Sequence, residues 1–171
     1  METIRCDARF VISGVSIHVK KLSHINARGE ASMVDVSGKP VQLREAVARG
    51  EIRLQKATLQ LIESHKIAKG NVLATARLAG ILAAKKTGDL IPLCHPLPIS
   101  HCEVNFEIPK SRDRIVISAS AKIAAQTGVE MEALTAVTVA ALTIYDMCKA
   151  IDKTMTITDV QLVSKTKHSA V

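Results

Sequence analysis

Asp146, Lys149 and Lys153 follow one another at intervals of three and four, the spacing that sets side chains on one face of a helix. A carboxylate beside an ammonium at a core-facing helix edge is a suitable acid/base pair, because each charge shifts its partner's pKa. The commoner use of such spacing is a surface ion pair worth under ~1 kcal/mol, and spacing alone leaves that use ahead. Sixteen residues upstream, Glu130-Met131-Glu132 places two carboxylates around a flexible apolar side chain. A carboxylate there can accept two N–H donors from the edge of a guanine or pterin ring. Acidic residues in the first turn of a helix are also ordinary partners of its dipole.

A second candidate region is the loop Leu90–Ser100, LIPLCHPLPIS, which concentrates Pro92, Pro96 and Pro98 within seven residues. Proline fixes φ and lowers loop entropy, so His95 is held in a stiffened segment. A histidine presented this way can serve as a general acid or base near neutral pH; a histidine bonded to a backbone carbonyl is the more frequent case. Cys94-His95 and His101-Cys102 would make a zinc quartet only at an outer spacing that matches no common structural-zinc pattern, and no metal is expected. Lys69-Gly70-Asn71 precedes a helical stretch and offers a cation beside a helix N-terminus, which suits phosphate. The sequence contains neither GxxxxGK[ST] nor GxGxxG, which argues against P-loop hydrolysis and dinucleotide binding.

These residues are carried by 171 positions with 23 Lys and Arg against 16 Asp and Glu, a formal charge of +7. Such a length favours one domain with a sizeable core. Residues 43–89 hold most of the positive excess, which suits an anionic partner. One Tyr, two Phe and no Trp leave packing to aliphatic and small side chains and argue against aromatic base-stacking platforms. The run Ala133–Tyr145 is 13 residues, short of the ~20 that a membrane span requires, so no membrane is expected. Cys6, Cys94, Cys102 and Cys148 show no paired spacing and nothing resembles a signal peptide, which points to a cytoplasmic protein with reduced thiols.

The elements that must position the candidates can be read from periodicity. Val41 to Leu54 alternates in part, as a strand does. Residues 57–67 and 70–87 have helical spacing, the second with a small-residue face of Ala76, Ala79, Gly80 and Ala83. Val104, Phe106 and Ile108 alternate with polar residues, Pro109 and a polar run make a turn, and 101–123 reads as a hairpin. Thr127-Gly128 opens the longest helix, with Leu134, Val137, Ala141, Ile144, Tyr145 and Cys148 at helical intervals. Thr154–Val163 is expected to be a final strand with a bulge near Asp159. The order predicts an α+β, ferredoxin-like βαββαβ plait with an antiparallel sheet and an extra helix in the first crossover.

Taken together, SHINARGEASMVDVSGKPVQLREAVA, KGNVLATARLAGILAAKKTGDLIPLCHPLPIS and TGVEMEALTAVTVAALTIYDMCKAIDK closely resemble the cyclic pyranopterin monophosphate synthase (MoaC) family of molybdenum cofactor biosynthesis. The likeness runs from about Leu22 to Lys165, leaving residues 1–21 as an N-terminal extension of unknown role before a single domain over 22–171. The resemblance implies a ferredoxin-like fold, a hexamer built as a trimer of dimers, and active sites at subunit interfaces. It implies conversion of 3′,8-cyclo-7,8-dihydroguanosine 5′-triphosphate to cyclic pyranopterin monophosphate with release of diphosphate, and no cofactor. Asp146, Lys69 and Lys149 match the family's catalytic residues. Leu93, Cys94, His95, Met131 and Glu132 match its substrate contacts, with Glu130 and Arg44 also lining the site. The other class of function that a basic ferredoxin-like sheet allows is RNA binding, which needs exposed aromatics on the central strands.

Overall fold

The computed structural model describes residues 28–169 and, before them, the backbone of two strands, β1 (Ala8–Ile12) and β2 (Val15–Val19). These two pair antiparallel, with Phe10 opposite Ile17, in a first compact unit, Met1–Asp35. Both strands fall within the stretch expected to be an extension. The remainder of residues 1–27 lies outside the described residues.

The second unit, Val36–Val171, holds all the later elements. They are β3 (Gln42–Arg53), α1 (Lys56–Glu63), α2 (Val72–Ala84), a short α3 (Thr87–Leu90), β4 (His101–Glu107), β5 (Arg114–Ala125), α4 (Glu130–Cys148) and β6 (Thr156–Ser169). The sheet order is β4-β5-β3-β6 and every pairing is antiparallel. In that order the first and third strands of the unit are central and the second and fourth are edges, as a plait requires. α1, α2 and the short α3 all lie in the first crossover, so the expected extra helix is present and one further short turn of helix follows it.

Inward-facing Ala46, Ala48 and Ile52 of β3 and Ile115, Ile117, Ala119, Ala121 and Ile123 of β5 form the sheet side of the core. α4 covers them with Ala133, Ala136, Val137, Ala140, Ala141 and Ile144, all fully buried. α4 is long and apolar enough to cross a membrane by length and composition, but half of that apolar stretch is buried within the fold. The uncharged run within it is still the 13 residues Ala133–Tyr145, bounded by Glu132 and Asp146, and burial against the sheet accounts for its apolar character. α2 packs against α4 through Ala76 and Gly80, where an added Cβ would lie 2.8 Å from the Ala136 carbonyl oxygen. The small-residue face is thus a helix–helix seam within the chain.

Several boundaries differ from expectation for local reasons. α1 ends at Glu63, four residues early, where Ser64 Oγ donates to the Gln60 carbonyl at 2.7 Å and His65 turns to φ +54°. α2 begins only after Gly70, at φ +96°, with the Asn71 side chain accepting the Ala74 N–H at 3.0 Å as its cap. α4 begins two residues beyond Gly128 and ends at Cys148, with Lys149 as its cap, so Lys153 leaves the face it was expected to share with Asp146. β6 runs six residues past Val163. The bulge expected near Asp159 is present: Asp159 sits at φ +55° where the β3–β6 register shifts between Arg49 and Glu51.

Candidate active site

The candidate residues fall at the two ends of α4. At its C-terminal end, Asp146 and Lys149 meet as i, i+3 neighbours, Lys149 Nζ lying 2.7 Å from Asp146 Oδ1. Lys69 reaches the same carboxylate from the segment between α1 and α2, with Nζ 2.7 Å from Oδ2 and 3.0 Å from the Asp146 carbonyl oxygen. One carboxylate is thus held by two ammonium groups, one on each oxygen. Hydrogen bonds from Lys149 and then Lys69 depress the Asp146 carboxyl to about 2, and Asp146 in turn raises Lys149. All three side chains are roughly half exposed, so the cluster adds little to folding free energy. What it fixes is charge: an ionised carboxylate and two cations at one point on the surface.

At the N-terminal end of α4 the geometry is different. Arg44 on β3 donates from Nε to the Ala125 carbonyl and from Nη2 to the Gln126 carbonyl, both at 3.1 Å, so its guanidinium braces the turn leading into α4. Glu130 pairs with Lys165 of β6 at 3.1 Å. A Cβ placed at Gly128 would collide with the Glu130 carboxylate, which therefore lies over bare backbone. Arg44, Glu130, Lys165 and Lys167 line a cleft of about 240 Å³. Register explains the basic residues: Lys165 lies opposite Ala46 and Lys167 opposite Arg44, all on one side of the sheet. Lys165 and Lys167 are lining residues of this cleft that the sequence did not single out. Their alternate spacing was the available signal, but a strand that is polar on both faces gives no apolar period to mark it.

On the other side of the turn, His95, Leu97, Val41 and Gln126 line a second cleft of about 330 Å³. His95 and Cys94 are half-buried, and Leu93 likewise. Burial, then the Glu132 carboxylate, pushes the Cys94 thiol up, which places the proline-rich loop within electrostatic reach of α4's first turn. Glu132 is 3% exposed; burial raises its carboxyl, its own backbone N–H acts the other way, and Glu130 adds to the rise. Met131 between them is exposed. Arg44, the Leu93–His95 segment and Glu130–Glu132 are therefore gathered around one helix end, while Lys69, Asp146 and Lys149 gather at the other. The sixteen steps from Glu130 to Asp146 span about 24 Å at ~1.5 Å each.

Neither alternative is assembled. Among the described residues no three His, Cys, Asp or Glu side chains converge as a metal site, so the Cys94-His95 and His101-Cys102 quartet does not form. Phe106 lies opposite buried Ile117, on the helix-packed face of the sheet, with the Arg77 guanidinium 5.6 Å from its ring centre. It therefore offers no stacking platform to RNA on the open face.

The chain is an α+β, ferredoxin-like plait whose long helix carries a lysine-clamped aspartate at one end and a buried acid at the other, an arrangement suited to acid/base chemistry beside a cluster of cations. The MoaC family model matches residues 33–168, and the chain belongs to that family. It is 57% identical over 147 residues to the cyclic pyranopterin monophosphate synthase of Chloroflexus aggregans, covering 86% of this chain and 89% of the relative. It is 56% identical over 147 residues to that of Parvibaculum lavamentivorans, covering 86% and 92%. It is also 56% identical over 148 residues to cyclic pyranopterin monophosphate synthase 3 of Mycobacterium tuberculosis, covering 86% and 83%.

Proposed function

We propose that this chain is a cyclic pyranopterin monophosphate synthase of molybdenum cofactor biosynthesis. It takes (8S)-3′,8-cyclo-7,8-dihydroguanosine 5′-triphosphate to cyclic pyranopterin monophosphate and diphosphate. The relatives' shared name at 56–57% identity supports the activity. The observation that carries the chemistry is the Asp146 carboxylate pinned between Lys69 and Lys149. Ring opening, reclosure and cyclic phosphate formation are proton transfers followed by displacement at phosphorus, which need a base, an acid and cations and no redox group.

With both lysines bound to it, Asp146 is ionised but a weak base. A substrate phosphate competes for those two ammonium groups, and as they turn toward it the carboxyl rises toward its ordinary value of ~3.9. Arrival of substrate thus converts a neutralised pair into a usable base beside two phosphate-binding cations. Arg44 braces the turn beneath the other end, where Glu130 or Glu132 accepts from the ring edge and Leu93, Cys94, His95 and Met131 enclose it.

The ~24 Å between the two ends of α4 is too long for one substrate to bridge within a chain. We therefore place each site between protomers, the start of α4 from one facing the end of α4 from another; a hexamer arranged as a trimer of dimers, in the cytoplasm, is what the family resemblance adds. Incubation with the cyclised GTP derivative tests the reading. Wild-type protein should yield cyclic pyranopterin monophosphate and diphosphate, and Asp146→Asn should bind the triphosphate but yield neither. No product from the wild type would refute the activity; an undiminished rate in Asp146→Asn would remove Asp146 from the chemistry.

A further inference from the structure

Asp152 is the most deeply buried carboxylate among the described residues, at 1% exposure, and nothing in the reaction uses it. Its Oδ2 accepts the backbone N–H of Gln55 at 2.9 Å and the Thr58 hydroxyl at 3.0 Å. Its Oδ1 accepts the backbone N–H of Thr154 at 2.9 Å and the Thr154 hydroxyl at 2.7 Å. Its own N–H donates to the carbonyl of Cys148, the final residue of α4, at 3.1 Å. Burial alone would raise this carboxyl, yet the bonds from Gln55, Thr154 and Thr58 bring it below its ordinary value. A buried ion is costly unless every acceptor site is filled. Here the four bonds come from the start of α1, through Gln55 and Thr58, and from Thr154 just ahead of β6, while the Asp152 N–H ties the same residue to the end of α4.

Those elements are the ones that carry the charged centre. Asp146 stands on the last turn of α4 and Lys149 is its cap, and the Asp152 N–H takes up the carbonyl of Cys148, the final residue of that helix. Lys69 stands on the segment that follows α1, whose Leu59 and Ile62, with Ile67 just beyond, are buried in the core. α1 has no side-chain cap of its own at Gln55. The Asp152 carboxylate supplies that anchor from 97 residues away. We infer that Asp152 is the positioning residue of the charged centre: it locks the start of α1 to the end of α4 and so sets the reach of Lys69 onto Asp146. The inference rests on the proposed catalytic role of Lys69, Asp146 and Lys149.

The chemistry requires a carboxylate and not its isostere. Each oxygen faces a backbone N–H, which cannot reverse its direction, so an amide must turn its NH₂ against one of them. α1 is eight residues, about 12 Å long at ~1.5 Å per residue, so a small tilt at its anchored end is carried to the segment bearing Lys69.

The test uses the full-length protein and three readouts: the single-turnover rate with the cyclised GTP derivative, the Asp146 carboxyl titration followed by carbon NMR, and Tm. Asp152→Asn should lower the rate about 100-fold, the effect of an ångström-scale misplacement. It should also move the Asp146 carboxyl from about 2 toward ~3.9 as Lys69 loses its seat. A folded Asp152→Asn with the Asp146 titration unmoved would overturn the inference, whatever its Tm. Should Asp152→Asn fail to fold, Thr58→Ala decides, because it removes one of the four bonds. It should slow turnover several-fold and raise the Asp146 carboxyl, and Thr58→Ser should restore both; an unchanged Asp146 titration in Thr58→Ala would equally overturn it. A shifted Asp146 titration with unchanged turnover would uphold the positioning and instead remove Asp146 from catalysis.

Discussion

Replacing Gly80 by alanine sets two effects of opposite sign against each other in the middle of α2. Alanine is the better helix former by ~1 kcal/mol, and at an exposed site the change would stabilise. At Gly80 the new Cβ would lie 2.8 Å from the Ala136 carbonyl oxygen, 3.2 Å from Val104 Cγ2 and 3.4 Å from Ala140 Cβ. The nearest of these is a helix backbone atom that cannot rotate away. Restoring an ordinary carbon–oxygen separation of ~3.3–3.6 Å means opening the α2–α4 seam by roughly 0.5–0.8 Å. Overpacking of this kind costs ~1–3 kcal/mol, and loosened contacts at Ala76 and Ala140 add to it, so the net loss should be about 1–2 kcal/mol. Urea unfolding followed by circular dichroism, at matched protomer concentration, measures it; a Tm fall of roughly 2–8 °C should accompany it. The displacement also reaches the charged centre, since Lys69 leads into α2 and Asp146 stands on α4, and turnover should fall about 10-fold. A Gly80→Ala protein as stable as the wild type would show that propensity wins and that the seam is not closed at this point.

Two further outcomes follow from the start of α4. Glu132→Gln should raise stability at neutral pH while lowering activity: burial raises this carboxyl in the folded state, so its favourable contribution exists below ~4.3 and is lost as pH rises through the folded value. Thermal melts of both proteins from pH 4 to 8 should therefore converge at the acid end, and a gap that stays constant would contradict the cause. Gly128→Ala should leave Tm within about 2 °C, because the atom it displaces is the mobile Glu130 carboxylate, yet raise KM by moving that carboxylate out of the cleft. Equal loss of stability and activity would mean that Gly128 serves the backbone turn instead.

Much of the fold was legible because its elements carry strong local periods. Alternation through Val104 and Phe106 marked the hairpin, and the aliphatic stripe from Leu134 to Cys148 marked α4. The polar end of β6, from Ser164 to Ser169, was not legible: an edge strand exposed on both faces is held by backbone bonds to β3 and needs no apolar residue to declare it. Lys165 and Lys167 were missed with it. The Asp146–Lys149 pair could be read from spacing, and Lys69 from its place before a helix N-terminus, with its catalytic role coming from family resemblance. That Lys69 meets the same carboxylate across 77 residues depends on how α1 docks, which is a tertiary event. Lys153 shows the reverse error, since a helical period was continued past the point where α4 stops.

The claim that the two ends of α4 serve one site from different protomers is tested most directly by subunit mixing. Asp146→Asn disables one end and His95→Ala the other, and each protein alone should be inactive on the cyclised GTP derivative. After subunit exchange at equal concentrations, about one quarter of the interfaces should unite an intact His95 end with an intact Asp146 end. The account predicts that the mixture regains about a quarter of wild-type turnover; a mixture no more active than its two components would place the whole site within one chain and contradict it.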